Sequence, residues 1–279
     1  VVFIGLTDDY ESEGFDRSTM KLPDGHNRLV EAVSRVNDNV IVVLEGGSPV
    51  EMPWADDVKA ILNAYLGGQS VAPAIVDVLT GKANPCGKLA ETYPVCLKDT
   101  PTSFRYPDSK EDVQYRESIF IGYRYYDKVE RTVRFPFGFG LSYTSFEYSD
   151  IKLKKKNLTK GEGAKVTFTI KNTGDVAGSE IAQVYVAKPE SKIFRAPKEL
   201  KGFVKIHLDP GEEKKVSVEL DDRAFAFWNT ATEDWSVESG EYKILVGASS
   251  RDIRLEAAAK MKSEDDETIV DLRESAGVY

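Results

Sequence analysis

The stretch ESEGFDR at residues 11–17 comes directly after the apolar run VVFIGL at residues 1–6, before any helix begins. The apolar run predicts a buried β-strand, and the acidic stretch with its glycine predicts a loop at the end of that strand. Loops at the carboxyl ends of strands are where open α/β sheets bind their ligands. The two stretches together therefore predict an α/β sheet with a functional loop at its carboxyl edge.

The composition of this loop suits acid–base chemistry. If the loop is extended, Glu11 and Glu13 are two residues apart and point to the same side. Gly14 lets the backbone turn where a Cβ would obstruct it. Asp16 and Arg17 are expected to pair with one another, which leaves one glutamate free to donate a proton. A solvated loop without chemistry is the alternative, and an isolated E-x-E-G motif does not exclude it.

Residues 23–49 continue the alternation of helix and strand. Pro23 predicts the start of a helix with an apolar stripe that packs on the sheet. The stripe consists of Leu29, Val30, Val33 and Val36. The β-branched run at residues 40–44 predicts a strand that is buried on both faces of a parallel sheet. GGSP at residues 46–49 ends that strand at the same sheet edge as the Glu13 loop.

The next segment completes about half of a doubly wound α/β domain. An apolar segment at residues 60–66 is followed by a predicted helix from Val71 to Leu79, and residues 88–93 predict a last strand. This order of elements is typical of a parallel α/β fold. We assign residues 1–95 to a partial parallel α/β sandwich domain.

Residues 96–145 show little periodicity and carry many aromatic residues with Pro and Gly between them. Aromatic mass in irregular chain is typical of a long loop that packs on a neighbouring domain. We interpret this stretch as an aromatic-rich crossing segment. It includes Tyr106, Tyr115, Tyr123, Tyr125, Tyr126, Phe135, Phe137 and Phe139.

From residue 146 the apolar period changes to two, with turn signals between the alternating runs. The alternating residues include Val166, Phe168, Ile170, Val216, Val218, Leu220, Tyr242, Ile244 and Val246. About seven strands in ~100 residues predict a β-sandwich. We assign residues 146–256 to this all-β sandwich and interpret residues 257–279, which include SEDDE at 263–267, as an acidic linker or tail.

Charge and composition exclude several classes of function. The 279 residues carry a net charge of −9 with a pI near 5.0, which argues against nucleic-acid binding. No apolar run reaches the ~20 residues of a membrane span, and no secretory signal is visible. Cys86 and Cys96 are too few for a disulfide framework, so free thiols and a cytoplasmic location are expected. The chain opens on Val1 in mid-strand, which we interpret as a cut in a longer protein.

Seven motifs, in a fixed order along the chain, resemble glycoside hydrolase family 3 of the β-glucosidase type. They are ESEGFDR from Glu11, LPDGHNRLVEAV from Leu22, VVLEGGSPVEMPW from Val42, AYLGGQ from Ala64, GKANPCGKLAETYP from Gly81, IFIGYRYYD from Ile119 and FPFGFGLSYTSFEYS from Phe135. The resemblance extends over about residues 1–255. It implies a partial α/β sandwich domain followed by a fibronectin type III-like β-sandwich.

The resemblance also implies the roles of individual residues. The general acid/base glutamate of the family, the one directly before Gly, falls on Glu13, with Glu11 as the alternative. The nucleophilic aspartate of the family belongs to a (β/α)-barrel domain that nothing in this chain resembles. Cys86 stands where the family commonly has serine. No cofactor and no metal are implied.

The implied function is part of a retaining exo-β-glucosidase that hydrolyses terminal non-reducing β-D-glucosyl residues. The expected partners are a β-glucoside or oligosaccharide substrate and a barrel domain of the same full-length chain, with homo-oligomerisation left open. The 279 residues alone are expected to be inactive. A β-xylosidase or other exo-β-glycosidase of the family is one alternative, and a non-catalytic accessory module is another.

Other aromatic and histidine residues have both structural and functional interpretations. Trp54 and Phe15 could stack on a sugar ring, but core packing is the favoured interpretation for Trp54. Trp228 and Trp235 are expected to pack in the core or at the edge of the sandwich. The two histidines, His26 and His207, are expected to be surface polar groups and not metal ligands or catalytic bases.

Overall fold

The computed structural model describes residues 1–104, 106 and 112–272. These residues form two compact units. Unit 1 contains residues 1–83, 92–115 and 132–135, and unit 2 contains residues 84–91, 116–131 and those from 136 onward. The first unit is mixed α/β and the second is built almost entirely of strands, which confirms the predicted fold class.

Unit 1 is built on a three-stranded parallel sheet in the order β1-β2-β3. Its elements are β1 (Val2–Gly5), α1 (Asp24–Ser34), β2 (Ile41–Glu45), β3 (Ala60–Asn63), α2 (Val71–Leu79), β4 (Tyr93–Pro94) and β5 (Val133–Phe135). The central strand β2 buries Val42, Val43 and Leu44 almost completely, which confirms the prediction of a strand covered on both faces.

The helix α1 follows the predicted position but not the whole predicted stripe. Val30 is fully buried, whereas Leu29 is 45% exposed. The helix ends at Ser34, so Val36 lies beyond it and is 84% exposed. The helix α2 occupies the predicted range and buries Ile75.

The strand predicted at residues 88–93 is wrong in extent, because only Tyr93 and Pro94 are in a strand. This short β4 pairs antiparallel with β5 and does not extend the parallel sheet. The Tyr93 ring meets the Phe135 ring edge-on at 6.3 Å, and its hydroxyl accepts a 2.8 Å hydrogen bond from the Asn63 side chain at the end of β3.

Unit 2 is a β-sandwich of a five-stranded sheet, β10-β9-β14-β15-β7, and a three-stranded sheet, β11-β8-β6. Its elements are α3 (Tyr123–Lys128), β6 (Phe146–Leu153), β7 (Asn157–Thr159), β8 (Ala164–Asn172), β9 (Gly178–Ala187), β10 (Glu199–Leu208), β11 (Glu213–Leu220), β12 (Phe227–Asn229), β13 (Asp234–Ser236), β14 (Gly240–Ser249) and β15 (Asp252–Lys262). Inward-facing residues such as Phe168 on β8 and Ile244 on β14 are fully buried. The predicted alternation therefore corresponds to the core of the sandwich.

Part of the aromatic-rich segment packs on the sandwich. Tyr123 of α3 stacks on Phe137 at 4.8 Å and meets Tyr185 of β9 edge-on at 6.0 Å. The Tyr123 hydroxyl also accepts a hydrogen bond from the backbone N–H of Leu200, at 2.8 Å. Burial of the ring raises the pKa of Tyr123, so the hydroxyl is a stable neutral partner in this contact.

Trp228 and Trp235 do not lie in the core of the sandwich, which corrects one of the two predicted placements. They face each other across the β12–β13 hairpin, with ring centroids 5.7 Å apart. They are 51% and 36% exposed, and the Arg223 guanidinium lies 3.7 Å from the centroid of the Trp235 ring.

The sandwich extends beyond the predicted boundary at residue 256. Residues 257–262, expected to begin a tail, belong to β15 and pair with β14 and β7. The acidic stretch that follows is bound to the sandwich and is not a free linker. Asp265 accepts hydrogen bonds from Lys160 Nζ at 2.6 Å and from the Val237 backbone N–H at 2.9 Å. Residues 273–279 of the predicted tail lie outside the described residues.

We expect Asp265→Asn to weaken the sandwich and to reduce its sensitivity to acid. Burial alone would raise the pKa of Asp265, but the hydrogen bonds from Lys160 and Val237 hold the pKa below its usual value. A lowered folded-state pKa means that the stabilisation is present above about pH 4 and is lost as the pH falls below that value. The variant should lose about 1–2 kcal/mol of unfolding free energy at neutral pH.

Urea denaturation of the wild type and Asp265→Asn between neutral and acid pH measures this effect. The stabilities of the two proteins should converge as the pH falls. Glu264→Gln is the matched control, since Glu264 is an exposed carboxylate one residue earlier. A constant difference at all pH values would contradict the explanation.

Candidate active site

Two loops leave the parallel sheet of unit 1 at the same edge. Residues 6–23 follow β1 and residues 46–59 follow β2, and the two strands are parallel neighbours with Gly5 opposite Glu45. A Cβ at Gly5 would collide with the carbonyl oxygen of Glu45, so glycine permits this close approach of the two strand ends. The carboxyl edge predicted from the sequence therefore does bring the Glu13 loop together with the GGSP stretch at 46–49.

Glu13 lies at the tip of a tight turn. Ser12 and Phe15 form an isolated antiparallel bridge, and Glu13 and Gly14 are the two residues between them. The Ser12 hydroxyl accepts a 3.2 Å hydrogen bond from the Gly14 backbone N–H. The loop is therefore not extended here, so the condition under which Glu11 and Glu13 would point to the same side is not met. The side chain of Glu13 is exposed, not buried within its own unit.

Glu11 is held by the loop that follows β2. Its Oε2 atom accepts a 2.7 Å hydrogen bond from the Gly47 backbone N–H, and its Oε1 atom accepts a 2.6 Å hydrogen bond from the Ser48 hydroxyl. Both carboxylate oxygens thus have donors within the protein. Of the two candidate glutamates, Glu11 is engaged structurally and Glu13 is presented to solvent.

Arg17 and Asp16 have separate partners, which corrects the prediction that they pair with one another. Arg17 Nη2 donates a 2.8 Å hydrogen bond to the carbonyl oxygen of Pro49. Burial lowers the pKa of Arg17, and the negative charge of Glu11 opposes this shift. The Asp16 carboxylate accepts a hydrogen bond from the hydroxyl of Tyr106, and this bond raises the pKa of Tyr106.

The loop is anchored to the core of unit 1 where it approaches α1. Met20 and Leu22 are 8% and 2% exposed, and the carbonyl oxygen of Met20 accepts a 2.8 Å hydrogen bond from the Glu51 backbone N–H. Lys21 and Glu51 form a parallel bridge. The segment after the catalytic candidate is therefore a continuation of the folded core.

Three aromatic and histidine residues near this edge differ in their environments. Trp54 is 1% exposed and donates a 2.9 Å hydrogen bond to the Asn27 side chain, which confirms core packing. Phe15 is 50% exposed beside Glu13, so its role in sugar stacking stays a prediction. His26 is half-buried with Nδ1 3.0 Å from the carbonyl oxygen of Gly5, and is not the surface group that we expected.

The partners of Glu11 and Arg17 are the site residues that sequence reasoning missed. Gly47, Ser48 and Pro49 were placed at the correct edge, but only as the end of a strand. Two of the three contacts use backbone atoms, which leave no side-chain signal in a sequence. In the part of the chain that the structure describes, no group of three or more His, Cys, Asp or Glu side chains is arranged to hold a metal ion.

Comparisons with known proteins define the class to which this fold and loop belong. The thermostable β-glucosidase B of Acetivibrio thermocellus is 54% identical over 263 residues, which are 94% of this chain and 35% of that protein. An exo-α-(1→6)-L-arabinopyranosidase of Bifidobacterium breve is 46% identical over 254 residues, 91% of this chain and 33% of that protein. Both relatives are named as glycosidases.

Solved structures and family models define the family. A β-glucosidase from Bifidobacterium adolescentis matches with a TM-score of 0.89 and 45% identity, over 93% of this chain and 38% of that one. The β-glucosidase of Kluyveromyces marxianus in complex with glucose matches with a TM-score of 0.88 and 44% identity, over 93% and 31%. The model of the glycosyl hydrolase family 3 C-terminal domain matches residues 1–143, and a fibronectin type III-like model matches residues 180–250. The chain belongs to glycosyl hydrolase family 3.

The family assignment confirms the resemblance seen in the seven motifs. The chain spans about a third of the length of the curated relatives that it matches. Among the helices in the described ranges, none combines the length and the apolar character that crossing a bilayer requires.

Proposed function

We propose that residues 1–279 supply the general acid/base of a retaining exo-acting β-glucosidase that releases terminal non-reducing β-D-glucosyl residues. The observation that carries this proposal is the position of Glu13, exposed at the tip of a turn on the carboxyl edge of a parallel sheet. The β-glucosidases among the relatives support the reaction and the sugar. Glu11, the alternative acid/base, is less suitable because both its oxygens already accept hydrogen bonds.

The proposed mechanism divides the chemistry between two domains. An aspartate of a barrel domain attacks the anomeric carbon, while the carboxyl group of Glu13 protonates the glycosidic oxygen. The carboxylate of Glu13 then removes a proton from the water that releases the sugar. The whole enzyme is the full-length protein, which contains residues 1–279, the rest of the α/β domain and that barrel domain.

The proposed partners follow from the same chemistry. They are a β-glucoside or oligosaccharide and the barrel domain, whereas the net charge of −9 does not favour nucleic acid. No membrane partner is proposed. A cytoplasmic location is part of the proposal, and it is supported by the free thiols of Cys86 and Cys96. Whether the enzyme forms a homo-oligomer is left to direct measurement.

A second candidate is an exo-glycosidase of the same family with another sugar specificity, such as a β-xylosidase. The similarity to the arabinopyranosidase of Bifidobacterium breve supports this candidate, because a relative that is 46% identical to this chain is named for a different sugar. A pocket separates sugars by about 1–3 kcal/mol, or roughly tenfold to 200-fold, where they differ by an apolar group, and by more where a hydroxyl that the pocket hydrogen-bonds is lost.

The proposed function is tested by comparing kcat/KM of the whole enzyme for different nitrophenyl glycosides. We expect kcat/KM for β-D-glucoside to exceed that for β-D-xyloside and for α-L-arabinopyranoside by at least about tenfold. The release of nitrophenol measures all three rates. A preference for xyloside or arabinopyranoside would support the second candidate, and no turnover of any of them would overturn the enzymatic proposal.

A further inference from the structure

We propose that Glu11 is a positioning residue, and that its carboxylate fixes the turn carrying Glu13 by binding the loop after β2. The contacts of Glu11 and Arg17 with residues 47–49 together form what we call the clasp. This inference rests on the proposed role of Glu13 as the acid/base. Glu11 itself contacts neither substrate nor reacting atoms in this proposal. It affects the reaction by fixing the position of Glu13.

The first half of the clasp is the carboxylate of Glu11. Its two oxygens accept separate hydrogen bonds from Gly47 N and Ser48 Oγ, at 2.7 and 2.6 Å. Hydrogen bonds to an ionised acceptor are stronger than neutral ones, and two of them fix both the position and the plane of the carboxylate. A Cβ on Gly47 would lie 3.2 Å from Glu11 Oε1, so glycine allows the carboxylate to approach this closely.

The second half of the clasp is the guanidinium of Arg17. It donates to the carbonyl oxygen of Pro49, at 2.8 Å, and Pro49 directly follows the two residues that bind Glu11. Within the described residues, the Nη1 atom of Arg17 is buried without a hydrogen-bond partner. A buried cationic group is costly unless an opposite charge compensates it, and Glu11 provides that charge.

The two halves enclose the residue proposed to do the chemistry. Glu11 and Arg17 stand on either side of the Glu13–Gly14 turn, and both are attached to residues 47–49. The ends of the seven-residue stretch are therefore held at one place, while the Ser12–Phe15 bridge closes the turn between them. A catalytic group must be held within about 0.5 Å of its productive position, and a displacement of about 1 Å can cost roughly 100-fold in rate.

The test uses the single variants Glu11→Gln, Ser48→Ala and Glu13→Gln of the whole enzyme, the control Asp9→Asn, and one double variant. Glu11→Gln keeps the size of the side chain but removes its charge, and its NH₂ group must face either the Gly47 N–H or the Ser48 hydroxyl, which would then have to accept instead of donate. We expect it to lower kcat by about tenfold to 100-fold with little change in KM. Azide should not restore the lost rate, because Glu13 is still present. Asp9 is an exposed carboxylate of the same loop, and Asp9→Asn should keep the wild-type rate.

Ser48→Ala keeps the inference testable if Glu11→Gln fails to fold. It removes one of the two hydrogen bonds and should lower kcat by about threefold to tenfold, with a decrease in Tm of only a few degrees. Because the two residues act through one contact, the double variant Glu11→Gln/Ser48→Ala should be no slower than Glu11→Gln alone. If the losses of kcat in the two single variants multiply in the double variant, the proposal that both residues act through one contact is wrong.

The outcomes separate this inference from the proposed function. If Glu13→Gln is rescued by azide while both Glu11→Gln and Ser48→Ala keep the wild-type kcat, the positioning role of Glu11 is overturned and Glu13 remains the acid/base. If azide rescues Glu11→Gln and not Glu13→Gln, Glu11 is the acid/base, and both the inference and the assignment of Glu13 fail.

Discussion

Residues 1–279 alone are expected to release no nitrophenol from an aryl β-glucoside, whereas the whole enzyme is expected to do so. Retaining hydrolysis needs two carboxyl groups about 5 Å apart, one as nucleophile and one as acid/base. The chain offers Glu13 for the second role, and the resemblance to family 3 assigns the nucleophile to the barrel domain. The expected effect is a complete loss of turnover, measured with both proteins in the same assay.

This experiment needs evidence that the shorter protein is folded. Far-UV circular dichroism and a cooperative heat transition provide it, since the described residues form two compact units with their own cores. Turnover by residues 1–279 that disappears in Glu13→Gln would contradict the division of the chemistry between two domains. A carbohydrate pull-down with residues 1–279 tests the accessory-module alternative, which predicts tight polysaccharide binding without the barrel.

Replacing Glu13 by glutamine in the whole enzyme is expected to lower the rate by about 10²–10⁴-fold on substrates with a poor leaving group, such as cellobiose. Glutamine has nearly the same shape as glutamate but cannot donate the proton that the departing oxygen requires. A dinitrophenyl leaving group needs no such proton, so its release should be slowed much less. The measurement is kcat/KM for both substrates.

Azide distinguishes a lost acid/base from a general loss of structure. Azide is a strong enough nucleophile to attack the glycosyl-enzyme intermediate without the base assistance that water needs. We therefore expect azide to accelerate Glu13→Gln on the dinitrophenyl substrate and to give a glycosyl azide product. Equal losses on both leaving groups, with no response to azide, would exclude Glu13 as the acid/base.

The sequence predicted most of the architecture because periodicity reports burial. The run at residues 40–44 became the central strand of the sheet, and the alternating residues of the second half became the sandwich core. Residues 88–92 do not form the predicted strand, because Leu89 exchanges backbone hydrogen bonds with the irregular stretch 138–139. The three alanines at residues 257–259 lie in a strand, because their pairing with β14 outweighs their weak β-propensity.

The candidate site was predictable in part for a similar reason. Spacing and motif identified Glu13 and the edge of the sheet on which it lies. The shape of the loop was not predictable, because it depends on the contact between Glu11 and residues 47–48, which lie 36 and 37 positions away. Asp16 and Arg17 were expected to pair because they are adjacent, yet each has a partner elsewhere in the fold.

Two of the three contacts that join Glu11 and Arg17 to residues 47–49 end on backbone atoms, Gly47 N and Pro49 O. Every amino acid carries a carbonyl oxygen, and every one except proline carries an N–H group. Substitution at residue 49 therefore leaves an acceptor for Arg17 in place. Side chains near this loop can in this way change while the backbone groups that fix its position are retained.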